Sequence, residues 1–358
     1  MDYTKRLQKL RRSLPQQCDA IFINHLVNVR YLCGFTGTAG ALLITRDTAH
    51  FLTDSRYAAQ ATQQIPTDYE VHINNKNPWH CLAPLLPKTA TALAFEAEHT
   101  SVATAEDAAS KLKKIQLLPQ RELVEKLRLL KDEDELKIIQ RAAIVADQCF
   151  DYICGELRPG LREDEVSLMM ETFMRKQGAS GPSFTFIVAS GKRSALPHGV
   201  ASSKVLSSGD LVTLDIGAIV DGYCSDLTRT VCLGKATTKQ KKIYRTVWNA
   251  QTKSLQAIKA GARCTAVDKV ARDIIADAGY GDYFGHGLGH GVGMDIHEQP
   301  RLSPLGKGTL KENMVVTCEP GIYIDGWGGV RIEDLIVVGK TGPKVLSHCA
   351  KPAKIIEL

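Results

Sequence analysis

The sequence predicts an α/β N-terminal domain joined to a larger α+β domain made of two similar halves. Three observations carry this. Short apolar runs alternate with helical stretches over the first third of the chain, the pattern of a layered α/β unit. Farther on, Gly160, Val166 and Gly178 recur as Gly261, Val267 and Gly279, each 101 positions later. Finally, the strand-like segment LVTLDIG (Leu211–Gly217) resembles VVTCEPG (Val315–Gly321), pairing Thr213 with Thr317 and Asp215 with Glu319. A duplicated domain would bring one acidic strand from each half to a shared centre.

Taken in order, Leu7, Leu10 and Leu14 repeat at helical spacing over residues 4–14. The runs Ala20–Ile23, Ala41–Ile44, Phe51–Thr53, Val71–Ile73 and Leu93–Phe95, each bounded by turn residues, read as strands. Helices are expected at 56–64, 79–86 and 101–114. Leu118–Arg121, with Pro119, marks the junction, so the expected domains are 1–121 and 122–358. The second domain opens with a helix whose Leu136, Ile139, Ala143, Ala146, Phe150 and Ile153 share one face. Asp132, Glu133, Asp134 and Glu135 load its first turn, where the helix dipole favours negative charge. Further helices are expected at 163–177, 237–259 and 265–278, with strands after each pair.

Composition narrows the function classes. The chain has 358 residues, 44% hydrophobic and 23% charged, with a net charge of +6. This is the profile of an ordinary globular protein. No apolar run reaches the roughly 18–20 residues that a membrane span needs. The basic clusters Lys5–Arg12 and Lys239–Arg245 lack interleaved aromatics, so nucleic acid is not an expected partner. The N-terminus has no apolar signal region. None of the ten cysteines forms a C-x-x-C pair. Reduced, buried thiols in a cytoplasmic setting are expected.

The chemistry-bearing residues cluster in the second domain. Asp221-Gly222 is a strong hairpin signal. A two-residue loop there sets Asp215 opposite Thr228 and Asp226 opposite Gly217. Alternation then puts Asp215 and Asp226 on the same face. Two carboxylates on a mostly apolar hairpin repel, and a bound cation removes the conflict. Glu319 and Glu333 occupy Val- and Ile-rich strand contexts in the second half, with Arg331 on the face of Glu333. The segment FGHGLGHGVGMDIHEQP supplies His286, His290 and His297, and LPHGV supplies His198. Its glycines fit neither G-x-G-x-x-G nor, with its histidines, H-E-x-x-H. Four carboxylates and at least one imidazole suit two divalent cations. Oxygen-rich ligation favours Mn²⁺, Fe²⁺ or Co²⁺ and allows Zn²⁺.

In order and spacing, Asp215, Asp226, His290, Glu319 and Glu333 resemble the five-ligand pattern of the pita-bread metallopeptidases. These comprise methionine aminopeptidases, Xaa-Pro aminopeptidases and Xaa-Pro dipeptidases. The resemblance covers residues 125–358 and rests on the HG-x-GH-x-x-G, E-P-G and R-x-E motifs together. The first domain resembles a creatinase-type N-terminal domain. Its runs NVRYLCGFTGTAG and FLTDSRY look most like short bacterial Xaa-Pro aminopeptidases.

The resemblance implies two divalent metal ions, Mn²⁺ foremost. Asp215 would bind one, His290 and Glu319 the other, with Asp226 and Glu333 shared. It implies that His198 and His297 contact the scissile carbonyl or the proline side, and that His286 is a third active-site histidine. Glu319 would shuttle a proton, and Arg331 would brace Asp226 or neighbouring groups. The implied activity is removal of the N-terminal residue from peptides with proline second. An Xaa-Pro dipeptidase is the alternative, followed by a non-catalytic binding protein of the same fold. A homodimer is the implied assembly.

Overall fold

Leu7, Leu10 and Leu14 are buried beside α1 (Tyr3–Ser13), whose first turn is capped by the Asp2 carboxylate accepting from the Lys5 amide at 2.8 Å. The computed structural model describes residues 1–358. The chain divides into two compact units, Met1–Arg128 and Leu129–Leu358. No helix is long and apolar enough to cross a membrane.

In the first unit, α1 is followed by β1 (Ala20–Ile23), α2 (Leu26–Cys33), β2 (Ala41–Thr45), β3 (Ala49–Thr53), α3 (Ala58–Gln64) and β4 (Glu70–Ile73). Then come β5 (Ala92–Glu96), α4 (Val102–Lys111), β6 (Gln116–Gln120) and the short α5 (Glu125–Arg128). The strands form one mixed sheet in the order β4-β3-β2-β1-β5-β6. Its core packs Phe22 against Trp79, with ring centroids 4.4 Å apart.

Three local features depart from the sequence expectation. α2 was not expected; it buries Val29, Leu32 and Cys33 and is closed by Gly34 at φ 80°. The helix expected at 79–86 is only a 3-10 turn, Pro78–Cys81, because Pro84 and Pro87 remove amide donors from any longer helix. Gln116–Gln120, the run containing Pro119, is an edge strand parallel to β5, a position where proline costs no ladder bond on its open side.

The second unit begins with α6 (Glu133–Glu156), started by a reciprocal capping box between Asp132 and Glu135. α7 (Glu163–Lys176), β7 (Gly181–Pro182), β8 (Ile187–Ser190), β9 (Leu211–Ile216), β10 (Ala218–Val220), β11 (Tyr223–Cys224) and β12 (Leu227–Cys232) complete the first half. The second half holds α8 (Thr238–Ala257), α9 (Cys264–Asp277), β13 (Gly289–Gly291), β14 (Glu298–Leu302) and β15 (Val315–Cys318). It ends with β16 (Gly321–Ile324), β17 (Gly328–Arg331), β18 (Asp334–Val338) and β19 (Pro343–Val345).

The repeat is visible in detail. α7 and α9 both have 14 residues and bury Val166 and Val267 at matching positions. Gly160 and Gly261 precede them, and Gly178 and Gly279 follow, all at positive φ. The first half forms the sheet β12-β9-β8 and the second forms β14-β13-β15-β18-β19. Thr230 joins the halves by accepting from the Arg331 amide at 3.1 Å and donating to its carbonyl at 2.9 Å. The Glu333 amide donates to the Thr228 carbonyl at 3.0 Å. The acidic strands of both halves therefore meet along β12.

Candidate metal centre

The hairpin that carries the two aspartates has the expected register. Asp221 (φ 47°) and Gly222 (φ 84°) form its turn, both left-handed as a two-residue hairpin loop of this twist requires. Thr228 stands opposite Asp215 and Tyr223 opposite Val220. The ladder is interrupted at Gly217 and Asp226, between β9 and β10 on one side and β11 and β12 on the other. That interruption separates the half of the hairpin that carries Asp215 from the turn.

His290 reaches the same place from β13, which lies between β14 and β15. A bulge falls between His290 and Gly291. Gly289 is required by packing: a Cβ there would sit 2.2 Å from the Thr317 carbonyl oxygen. Only a residue without Cβ lets β13 run this close to β15. The His290 amide donates to the Thr317 hydroxyl at 3.1 Å, and that hydroxyl donates to Glu319 Oε1 at 2.9 Å.

Asp226, His290 and Glu333 place ligand atoms within 4.8 Å of one another. His290 Nε2 is 3.3 Å from Glu319 Oε1 and 3.5 Å from Asp226 Oδ2. Its Nδ1 lies 3.0 Å from the Gly291 carbonyl. An Nδ1–H donated there leaves the Nε2 lone pair facing the carboxylates. Asp215 adds a fourth carboxylate, with Oδ2 accepting from Arg331 Nη2 at 2.6 Å. Asp215 Oδ1 is buried and has no hydrogen-bond partner.

These groups fit a cation. Asp215, Asp226 and Glu333 are at most 8% exposed. Burial pushes the carboxyls of Asp226 and Glu333 well above the usual range, and neighbouring carboxylates push them further. Burial also raises Asp215, against the pull of the Arg331 guanidinium. Burial would lower His290, but the hydrogen bond and charge of Glu319, with the charge of Asp226, raise it to about 9. Burial would likewise raise Glu319, yet the same bond and charge of His290 hold it at about 2. Alone, the cluster must gather protons to stay neutral. An orphaned Oδ1, a directed Nε2 and clustered carboxylates are donors of the kind a divalent cation takes, so the group is a candidate metal site.

A supporting network surrounds these groups. Thr228 donates to Glu333 Oε2 at 2.7 Å and accepts from Arg331 Nε at 3.1 Å. Arg331 Nη1 donates to the Tyr323 hydroxyl at 2.9 Å and to the Pro197 carbonyl at 3.1 Å. Arg331 thus braces Asp215, with no direct bond to Asp226. The Tyr323 hydroxyl also lies 2.9 Å from His286 Nε2, while His286 Nδ1 is 2.8 Å from the Gly287 carbonyl. Burial holds His286 below its ordinary value. A neutral His286 therefore accepts from Tyr323, which accepts from Arg331.

His297 stands edge-on to His290, ring centroids 4.4 Å apart, and is exposed. His198 is exposed in the loop after the 3-10 turn Gly191–Ala195, near enough to act electrostatically on His286 and His297. All nine expected site residues therefore fall in one region. Sequence reasoning missed three hydroxyls, those of Tyr323, Thr228 and Thr317. The Thr228 position opposite Asp215 was legible from the hairpin register. Tyr323 gave no signal, since it lies in an ordinary strand pattern, GIYI.

Comparisons with known proteins agree with this picture. The description "Metallopeptidase family M24" matches residues 137–340, and "Creatinase/Prolidase N-terminal domain" matches residues 6–130. An uncharacterized peptidase of Bacillus subtilis, YqhT, is 44% identical over 353 residues, covering 98% of this chain and 100% of the relative. The solved structure of an Xaa-Pro dipeptidase from Bacillus anthracis superposes with a TM-score of 0.96 at 43% identity, covering 99% of this chain and 100% of that one. An X-Pro aminopeptidase from Thermotoga maritima superposes with a TM-score of 0.88 at 36% identity, covering 95% and 98%. The fold is the expected creatinase-type N-terminal domain followed by a pita-bread catalytic domain. M24 metallopeptidases use divalent metals, and this chain, which carries the same arrangement over its length, belongs to metallopeptidase family M24.

Proposed function

We propose that this chain hydrolyses the peptide bond between an N-terminal residue and a following proline. The observation that carries the reading is the convergence of Asp215, Asp226, His290, Glu319 and Glu333 in a chain of this family. Those five residues would hold two divalent ions, with Mn²⁺ favoured by the oxygen-rich donors. When bound, the ions polarise the scissile carbonyl and lower the pKa of the attacking water.

The chain's own residues do the rest. Arg331 fixes Asp215, Thr228 fixes Glu333, and Thr317 fixes Glu319. Glu319 carries the proton from the attacking water to the leaving prolyl nitrogen. His198 and His297, both exposed beside the cluster, hold the scissile carbonyl or the proline side. The prolyl nitrogen carries no hydrogen, so a site that cleaves this bond makes no demand for an amide N–H there. A homodimer and a cytoplasmic setting belong to the same reading.

Of the two Xaa-Pro activities, dipeptide cleavage is the favoured one, supported by the likeness to the Bacillus anthracis dipeptidase. The runs NVRYLCGFTGTAG and FLTDSRY and the likeness to the Thermotoga maritima aminopeptidase support the second reading, cleavage of longer peptides. The test is kcat/KM for Xaa-Pro against Xaa-Pro-Yaa peptides, with Mn²⁺ supplied. Preference for the dipeptide is expected. Preference for the tripeptide moves the activity to an aminopeptidase, and inertness toward both defeats the proposal.

A further inference from the structure

A second group of metal-ligating side chains lies in the first unit. β3 and β4 run parallel, with His50 opposite Glu70 and Leu52 opposite His72. His50 Nδ1 is 3.0 Å from His72 Nε2 and 3.4 Å from Glu70 Oε2. His72 Nε2 is 3.6 Å from Glu70 Oε1. A tetrahedral zinc ion with bonds of about 2.0–2.2 Å sets neighbouring ligand atoms about 3.3–3.6 Å apart. The two imidazole nitrogens stand a little closer than that, each lies near one of the two Glu70 carboxylate oxygens, and one ligand atom from each of the three residues falls within 4.8 Å of the others.

We propose that His50 Nδ1, His72 Nε2 and a Glu70 carboxylate oxygen form a zinc site distinct from the candidate peptidase centre. The His50 ring is pre-oriented for it. Its Nε2 lies 3.0 Å from the Thr48 hydroxyl, which is 2.9 Å from that of Thr45. An Nε2–H donated to Thr48 leaves the lone pair on Nδ1, the usual outer-shell device for a ligating imidazole. His50 is 6% exposed.

A cation here would take the His50 Nδ1 and His72 Nε2 lone pairs and a Glu70 carboxylate oxygen together. His72 also lines a cavity of about 480 Å³ whose wall includes His80 and Cys81. The site would clamp β4, the exposed edge of the sheet, to β3.

The experiment uses the full-length chain, stripped by chelator and equilibrated with Zn²⁺ by dialysis. Wild type is expected to hold one zinc per chain more than His72→Asn. Anomalous scattering from zinc-soaked wild-type crystals is expected to place an ion between His50, Glu70 and His72. Glu70→Gln, which leaves the buried ring untouched, should weaken this zinc at least tenfold while Mn²⁺-supported peptide hydrolysis stays at the wild-type rate. Equal zinc contents in wild type and both variants, or no anomalous peak at these residues, would overturn the proposal.

Discussion

Thr228→Val isolates the contribution of one hydroxyl to the candidate metal centre. Thr228 is fully buried, and its hydroxyl is the only link between Glu333 and Arg331, donating to one and accepting from the other. Valine has nearly the same shape, so no cavity opens and the effect is the loss of the hydroxyl's polar contacts with Glu333, Arg331 and Asp215. Leaving a buried polar group short of a partner costs about 1–3 kcal/mol, with charged groups at the upper end. Arg331 keeps Asp215, Tyr323 and the Pro197 carbonyl, so its share is small. Glu333 bears most of the loss. A total of about 2–4 kcal/mol is expected, or a fall in melting temperature of about 5–15 °C for a unit of this size.

The Thr228 hydrogen bond also pulls the Glu333 carboxyl down, against burial and three neighbouring carboxylates. Its loss makes Glu333 harder to ionise, so Mn²⁺ affinity at pH 7 should fall about 10–100-fold, the usual effect of removing an outer-shell partner. Urea denaturation in chelator measures the first effect, and a Mn²⁺ binding isotherm measures the second. In a double-mutant cycle with Glu333→Gln, a coupling of about 0.5–3 kcal/mol is expected. Destabilisation below about 0.5 kcal/mol, the range of an inert surface change, together with unchanged Mn²⁺ affinity, refutes the role assigned to the hydroxyl.

Other outcomes follow from the same geometry. Gly289→Ala puts a Cβ 2.2 Å from the Thr317 carbonyl, so β13 must move from β15; a loss of about 1–3 kcal/mol, seen by thermal melting, should accompany weaker metal binding. With His290 raised to about 9, the metal-free centre holds a proton at pH 7 that ligation must expel, and the raised Asp226 and Glu333 carboxyls act in the same direction. Divalent-metal affinity should therefore rise with pH, and calorimetry in buffers of different ionisation enthalpy should register net proton release; buffer-independent heats would contradict this. Asp334 is buried and bonded to Arg229 at 2.8 Å, to Gln251 at 2.8 Å and to Lys351. Burial alone would raise its carboxyl, but Arg229 and Lys351 hold it below the usual 3.8. Its stabilisation is thus present above the unfolded carboxylate pKa and is lost as pH falls through the lower folded value. Asp334→Asn should cost about 3–5 kcal/mol at pH 7, with the gap to wild type closing in acid, as denaturation at pH 7 and pH 3 would show.

The fold was legible where local signals were strong. Asp221-Gly222 set the hairpin register, and with it the opposition of Asp215 and Thr228. The repeat was legible because matched glycines at positive φ bracket α7 and α9, positions that a side chain fills only with strain. α2 was not legible, because the apolar residues of LVNVRYLC stand all round its axis rather than on one face, and its formation depends on burial of Val29 and Leu32. The charged run Lys131–Glu135 opens α6, as its acidic first turn indicates. Its Lys131 and Glu135 are buried, Lys131 pairing with Glu298 at 2.9 Å and Glu135 accepting from Tyr223 at 3.0 Å. Partners that lie 167 and 88 positions away leave no trace in a local pattern. The same holds for Tyr323, whose place between His286 and Arg331 is set by tertiary packing alone.

Titration of the chelator-stripped chain with Mn²⁺, following hydrolysis of an Xaa-Pro dipeptide, tests the central claim most directly. The stripped protein should be inactive, and activity should return as Mn²⁺ approaches about two per chain, the stoichiometry of a two-metal site. Asp226→Ala should lose both the activity and the tight metal. Undiminished hydrolysis by the stripped protein, or full activity in Asp226→Ala, would contradict the account.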